Sequence, residues 1–294
     1  MALRTCELCR EVAQLRDSHV IPSFVYRWLK ETSASGYLRT QNMPNKRTQQ
    51  GWVREMLCPV CEQRLSGWEK QFAETVFLPT TEGRWPLSDT YEPWLFDFAV
   101  SVSWRALRSM RSDGELDRLE PAALDEIDDA LEVLRQFLLG RRFSTGRFEQ
   151  HMLLGGLIAS TSSASTPANM NRYLTRAVDC VASCNPKTTF IYVNMCGILL
   201  LGFIEIFHRK QWKGTRLSPK GGRLSRQYSM PGDVELFLQR RARSVRGSLN
   251  EMSARQREKL EQYVLANPEV VARSGSFQAM ARDVELFGKD AFDE

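Results

Sequence analysis

Two Cys-x-x-Cys pairs, Cys6/Cys9 and Cys58/Cys61, constrain this chain more than any other feature of it. Each short pair presents two sulfurs from one tight knuckle, and two such knuckles can close a tetrahedron around a single zinc ion. A chain that uses its thiols this way must bring residues 6–9 and 58–61 together. The 48 residues between the pairs exceed the spacing of a simple zinc ribbon, so they must build structure of their own. Within them lies the tract Ser18-His19-Val20-Ile21-Pro22.

The other three cysteines, Cys180, Cys184 and Cys196, have apolar neighbours and read as small buried hydrophobes, with a second metal site as the alternative. No apolar stretch ahead of a cleavage site opens the sequence, which speaks against a secretory signal. Metal-spaced thiols fit the reducing cytoplasm better than a disulfide framework. With 294 residues, 43% of them hydrophobic, the chain can bury at least one full core and has material for two.

Proline punctuates the helices. Pro22 opens one carrying Phe24, Val25, Trp28 and Leu29 on a helical stripe, stopped by Gly36. Residues 32–54 read as irregular. A second helix starts past Cys58-Pro59, putting Cys61 in its first turn, and runs through Leu65, Trp68, Phe72 and Val76 towards Pro79. Turn residues and prolines over 79–93 mark a boundary between a zinc-binding domain, residues 1–79, and a C-terminal region, residues 90–294. Pro93 and Pro121 open two long amphipathic helices, the second ended by Gly140. The Ser/Thr-rich tract Ser160–Thr166 reads as a loop, and Pro167 as the start of a helix through Leu174, Ala177, Val178 and Val181.

Residues 190–207 form the most apolar run. Its length would just span a bilayer, but two glycines, Asn194, Glu205 and many β-branched and aromatic residues favour a pair of buried strands. The pentapeptide Asp-Val-Glu-Leu-Phe occurs at 233–237 and again at 283–287, and no longer period accompanies it. The fold class expected is α+β: a zinc-bound N-terminal unit, a helix-rich region, and a small C-terminal sheet with helices.

Net charge is +5, distributed unevenly. Residues 71–140 hold six Lys/Arg against fourteen Asp/Glu, whereas residues 141–250 hold seventeen against five. Residues 32–54 contain no acid, only Arg39, Lys46, Arg47 and Arg54. Residues 206–232 contain none either, and carry seven cations, among them Arg209, Lys210, Lys213 and Arg216, interleaved with Trp212 and Tyr228. Two basic blocks around an acidic spacer point to nucleic-acid contacts, with a solvated cation-rich loop as the plainer reading.

The order Cys6-x-x-Cys9, Ser18-His19-Val20-Ile21-Pro22, Cys58-x-x-Cys61 resembles the zinc-stabilised HNH (His-Me finger) nucleases, a treble-clef ββα-metal family whose members usually read Asp-His-Ile/Val-x-Pro between the cysteine pairs. The resemblance covers about residues 4–78. It implies that His19 is the general base activating the water that attacks a phosphodiester, a role suited to imidazole near neutral pH. It implies that Cys6, Cys9, Cys58 and Cys61 hold a structural zinc. Ser18 stands where the family has a metal-binding Asp, and Glu62 where many members have a His or Asn ligand. Asn45 is the nearest counterpart of the family's middle Asn. Glu62 or Glu69, seven residues apart on one helix, would then offer carboxylates to a catalytic Mg²⁺ or Mn²⁺.

The expected function is therefore a metal-dependent HNH-like endonuclease acting on DNA more than RNA. By analogy of architecture it would serve bacterial antiviral defence, with a protein partner for the C-terminal region. The alternative is a catalytically degenerate zinc-stabilised module that binds nucleic acid or protein. A membrane-associated effector using residues 190–207 is a third class, disfavoured by that segment's composition.

Overall fold

The first cysteine pair lies in the loop of a short antiparallel ribbon, β1 (Leu3–Thr5) against β2 (Val12–Gln14). A computed structural model describes residues 3–161, 165–185 and 187–292. In the ribbon loop, Cys6 N–H donates to Glu11 O at 2.8 Å and Arg10 N–H to Cys6 O at 2.9 Å, so both thiols hang from one closed turn. Next come β3 (Arg16–His19), α1 (Ser23–Glu31), a ribbon of β4 (Leu38–Thr40) and β5 (Met43–Thr48), and β6 (Val53–Leu57), which returns to pair antiparallel with β3. Helix α2 (Pro59–Phe72) follows at once, with Cys58 as its N-cap residue and Pro59 at its first position, where the missing N–H costs nothing. It continues through a π turn, residues Ala73–Phe77, into α3 (Leu78–Thr81).

The ribbon β4–β5 corrects the expectation that residues 32–54 are irregular. It lacks an apolar alternation because its support comes from far along the chain. Asn45 Oδ1 accepts from Ser253 N–H at 2.7 Å, and the Ser248 hydroxyl bonds the Gln41 carbonyl.

Beyond β7 (Thr90–Tyr91), helix α4 (Pro93–Ser112) is the axis of the molecule, with fourteen of its twenty residues buried. It packs on α2, on α5 (Pro121–Leu138) and on a four-stranded antiparallel sheet. That sheet comprises β8 (Glu149–Leu154), then, after α6 (Met170–Arg176), the strands β9 (Val178–Asn185), β10 (Thr188–Met195) and β11 (Ile198–Glu205), in the order β8-β11-β10-β9. Its two faces explain the apolar run. Ile191, Val193, Ile198 and Leu200 join a cluster with α4 and α5, while Phe190, Tyr192, Leu199 and Leu201 join a second cluster with α6 and Trp212. Residues 190–205 are thus two strands and the turn between them, and among the described residues no helix is long and apolar enough to cross a membrane.

The helix expected from Pro167 ends at Arg176, and Val178 to Val181 lie in β9 instead. The alternation is that of a strand: Val178, Cys180 and Ala182 face one core cluster and Val181 the other. The middle of the Ser160–Thr166 tract, residues 162–164, lies outside the described residues.

After β12 (Gly222–Arg223), which pairs with β7, the chain is helical: α7 (Gly232–Asn250), α8 (Ala254–Ala266), α9 (Pro268–Arg273) and α10 (Gly275–Phe287). The sheet therefore occupies the middle of the chain, and helices form its end. The repeated pentapeptide does two different things. Asp233 is exposed at the start of α7, whereas Asp283 is fully buried in α10 and accepts from the Asn171 and Arg172 N–H groups at the start of α6. The larger apolar cluster runs from Cys6 to Leu217 across the segment 79–93.

The turn joining β10 to β11 has positive φ at both Cys196 (52°) and Gly197 (102°), as a two-residue hairpin requires. A Cβ on Gly197 would sit 2.8 Å from the Gly155 carbonyl oxygen. Gly197→Ala is expected to lower stability by about 1–3 kcal/mol through that clash and the φ penalty, read from urea unfolding midpoints.

Candidate metal centre and the residues around His19

The sulfurs of Cys6, Cys9, Cys58 and Cys61 all lie within 4.8 Å of one another. Cys9 Sγ and Cys58 Sγ are 3.8 Å apart, far beyond a disulfide, and all four thiols are free. A tetrahedron with zinc–sulfur bonds of about 2.3 Å has edges of about 3.8 Å, so the donor set fits such an ion. The β1–β2 loop supplies the first pair and the start of α2 the second. Cys58 N–H also donates to Cys6 Sγ at 3.3 Å, the kind of contact that stabilises a thiolate. A hydrogen bond from Cys61 holds the Cys6 thiol down at about 4, and the same contact pushes Cys61 far up. Four crowded thiols thus share protons that a dication would replace. Among the described residues this quartet is the group of Cys, His and carboxylate side chains that converges as metal ligands do.

His19 ends β3 beside α2. Ser18, fully buried, donates from Oγ to Glu62 Oε2 at 3.1 Å, so the two residues that the resemblance aligns with ligand positions are bonded to each other. Close by lies Arg105 of α4, only 1% exposed and not among the expected site residues. Its Nη1 donates to the His19 carbonyl at 2.7 Å. Its Nη2 lies 2.6 Å from Glu69 Oε1, an ion pair without hydrogen-bond alignment. The two carboxylates and His19 expected to cooperate are thus brought together, but around a buried guanidinium. Burial holds His19 below the usual histidine range, opposed by Glu69 and reinforced by Arg105, leaving the ring a free base at neutral pH. Burial likewise pushes the Glu62 carboxyl up, opposed by Arg105 and by the Ser18 hydrogen bond.

The available signal for Arg105 was an arginine inside an otherwise apolar helix, since Ala99, Val100, Val102, Trp104, Ala106 and Leu107 surround it. Such a charge survives burial only with partners. Asn45 is engaged elsewhere, holding the α7–α8 junction.

The basic candidates divide. Lys46 and Arg47 are exposed on β5, and Arg47 stacks over Tyr37 at 5.0 Å. Arg39 is tied to the Pro44 carbonyl at 2.7 Å, and Arg54 to Asp113 at 2.6 Å and the Ser109 carbonyl at 2.8 Å. Lys210 and Lys213 are exposed. Arg209 and Arg216 reach back to buried Glu149 at 3.1 and 3.4 Å. Glu149 also meets His151 Nε2 at 3.2 Å, and His151 Nδ1 lies 2.8 Å from Thr215 Oγ1. That sequence of groups resembles a nucleophile–base–acid relay, but Thr215 and His151 are each 1% exposed, so it anchors the basic segment to β8 and reaches no substrate.

No family model matches this chain, and no curated protein or solved structure matches it either.

Proposed function

We propose that the N-terminal unit is an HNH-type treble clef holding structural zinc and acting on nucleic-acid phosphodiesters, with His19 as general base. The observation that carries this reading is the placement of His19 at the end of β3, paired with β6 and lying against α2, whose N-terminus bears the second cysteine pair and whose body bears Glu62 and Glu69. His19 is half-buried and uncharged, with its backbone carbonyl fixed by Arg105; a base must be both unprotonated and positioned.

The residues only partly fit a catalytic Mg²⁺ or Mn²⁺. Such an ion, when bound, polarises the scissile phosphate. Glu69 is engaged by Arg105, which leaves Glu62 as the carboxylate to hold it. Magnesium is commonly bound by one or two carboxylates together with substrate phosphates, so the ion is expected to bind with nucleic acid and only weakly before it.

The Arg105–Glu69 pair favours a second reading, in which a guanidinium stands where cleavage would require a metal and the unit binds nucleic acid without cutting it. Plasmid cleavage in Mg²⁺ or Mn²⁺ separates the two. The nuclease reading expects nicking that is lost in EDTA and falls at least a hundredfold in His19→Ala, the scale of a general base. Intact plasmid retarded in a gel by zinc-loaded protein would leave the binding reading in its place.

A further inference from the structure

The loop that leaves α5 presents a surface the chemistry above does not use. The helix ends in a Schellman closure: Gly140 adopts φ 72°, its N–H donates to Phe137 O at 2.8 Å, and Arg141 N–H donates to Gln136 O at 2.9 Å. The far side of the loop is fixed as well. Gly146 N–H donates to Ser144 Oγ at 3.0 Å, and Thr145 Oγ1 to Phe148 O at 2.7 Å. Between these two anchors stand Arg141, Arg142 and Phe143, all exposed, with Phe143 99% exposed.

A phenylalanine held out on an anchored loop at 99% exposure forfeits the gain of burial. Cations at a helix C-terminus offset its dipole, which accounts for the arginines but not for the aromatic ring. A third exposed arginine adjoins them, because Arg64 of α2 donates to the Leu138 carbonyl at 3.1 Å. Arg64 follows Glu62 by two residues on the helix, so the two project on different sides and this surface is separate from His19.

We propose that this loop is a stacking wedge for single-stranded nucleic acid, in which Phe143 takes an unpaired base and Arg141, Arg142 and Arg64 hold the neighbouring phosphates. The proposal rests on the nucleic-acid reading above but not on cleavage. Charge decides for a polyanion over an apolar partner. The lone exposed ring decides for a single strand, since bases in a duplex are already stacked and must be pried apart to meet it.

Fluorescence anisotropy with the full zinc-loaded chain, without added Mg²⁺ or Mn²⁺, tests this on labelled oligo-dT, oligo-rU and a duplex of equal length. Phe143→Ala is expected to weaken both single strands roughly tenfold, the loss of one stacked base, and the duplex less than twofold, while Phe143→Trp retains binding. Arg141→Ala/Arg142→Ala is expected to lower the salt dependence of single-strand binding by about 1.4 in log–log slope, two phosphate contacts. Single-strand binding unchanged in Phe143→Ala overturns the proposal, as does wild-type protein that binds duplex only. Phe143-dependent binding to phosphatidylserine vesicles in place of oligonucleotides overturns it too. Failure to cleave plasmid, with Phe143-dependent binding intact, would remove the nuclease reading and leave this one standing.

Discussion

Cys58→Ser is expected to lose both the metal and the folded N-terminal unit. A structural zinc contributes about 10–16 kcal/mol of binding free energy that is at the same time folding free energy, comparable to or above the whole stability of a small domain. Here the metal would stitch the β1–β2 loop to the start of α2, a junction otherwise helped by the partly exposed ion pairs Arg4–Glu55 and Arg54–Glu7 from the ribbon to β6. Cys6, Leu8, Cys58 and Cys61 belong to the same buried cluster as α4 and α5, so the loss should spread into the middle of the chain. Metal analysis of the wild type should find one zinc per chain, and EDTA treatment should reproduce the thermal destabilisation of Cys58→Ser. Equal melting temperatures for wild type, chelated and Cys58→Ser protein would show that the quartet is not a structural metal site.

The second large effect concerns Arg105. Arg105→Met leaves the Glu69 carboxylate without its cation and the His19 carbonyl without its donor, in a place where the guanidinium is almost wholly shielded from water. Removing one partner of a buried pair typically costs about 3–5 kcal/mol, because the other charge is left uncompensated. Glu69 retains some solvent contact, which puts the expected loss at the lower end of that range, about 3 kcal/mol. Glu69→Gln should cost less, about 1–2 kcal/mol, since Arg105 keeps its hydrogen bond to the His19 carbonyl and a polar amide dipole still faces it. The double variant should cost clearly less than the sum, as groups in direct contact do not act independently. Urea unfolding of the four proteins measures all of this. Strict additivity would show that Arg105 and Glu69 do not stabilise the fold as a pair, leaving Arg105 its hydrogen bonds to backbone carbonyls and its packing.

What could be read from the sequence follows physical range. The cysteine quartet was legible because spacing within each pair encodes its geometry locally. The helices from Pro59, Pro93 and Pro121 were legible because proline at a first helical position and a 3.6-residue stripe are local signals. The strands from 188 to 205 were legible because a sheet buried on both faces leaves a continuous apolar run. What escaped depends on partners far along the chain. The β4–β5 ribbon has little apolar pattern of its own and leans on residues near 250. Arg105 finds the His19 carbonyl 86 positions away, which no spacing rule reveals. Half of the proposed basic contacts in 209–216, though exposed, are already paired with Glu149, which lies buried beside them. The end of α6 was missed because Ala177 and Val178 suit either a helical stripe or a strand, and burial on two faces of the sheet decided for the strand.

A general-base role for His19 in phosphodiester cleavage would show in the pH profile of single-turnover cleavage. His19 is held below the usual histidine range by burial, so its free-base form fills at lower pH than an exposed histidine's. The rate should therefore rise with pH through an apparent pKa below about 6.5 and level off by neutrality, with that limb absent in His19→Ala. Cleavage by His19→Ala at the wild-type rate and with the wild-type profile would mean that His19 is not the base.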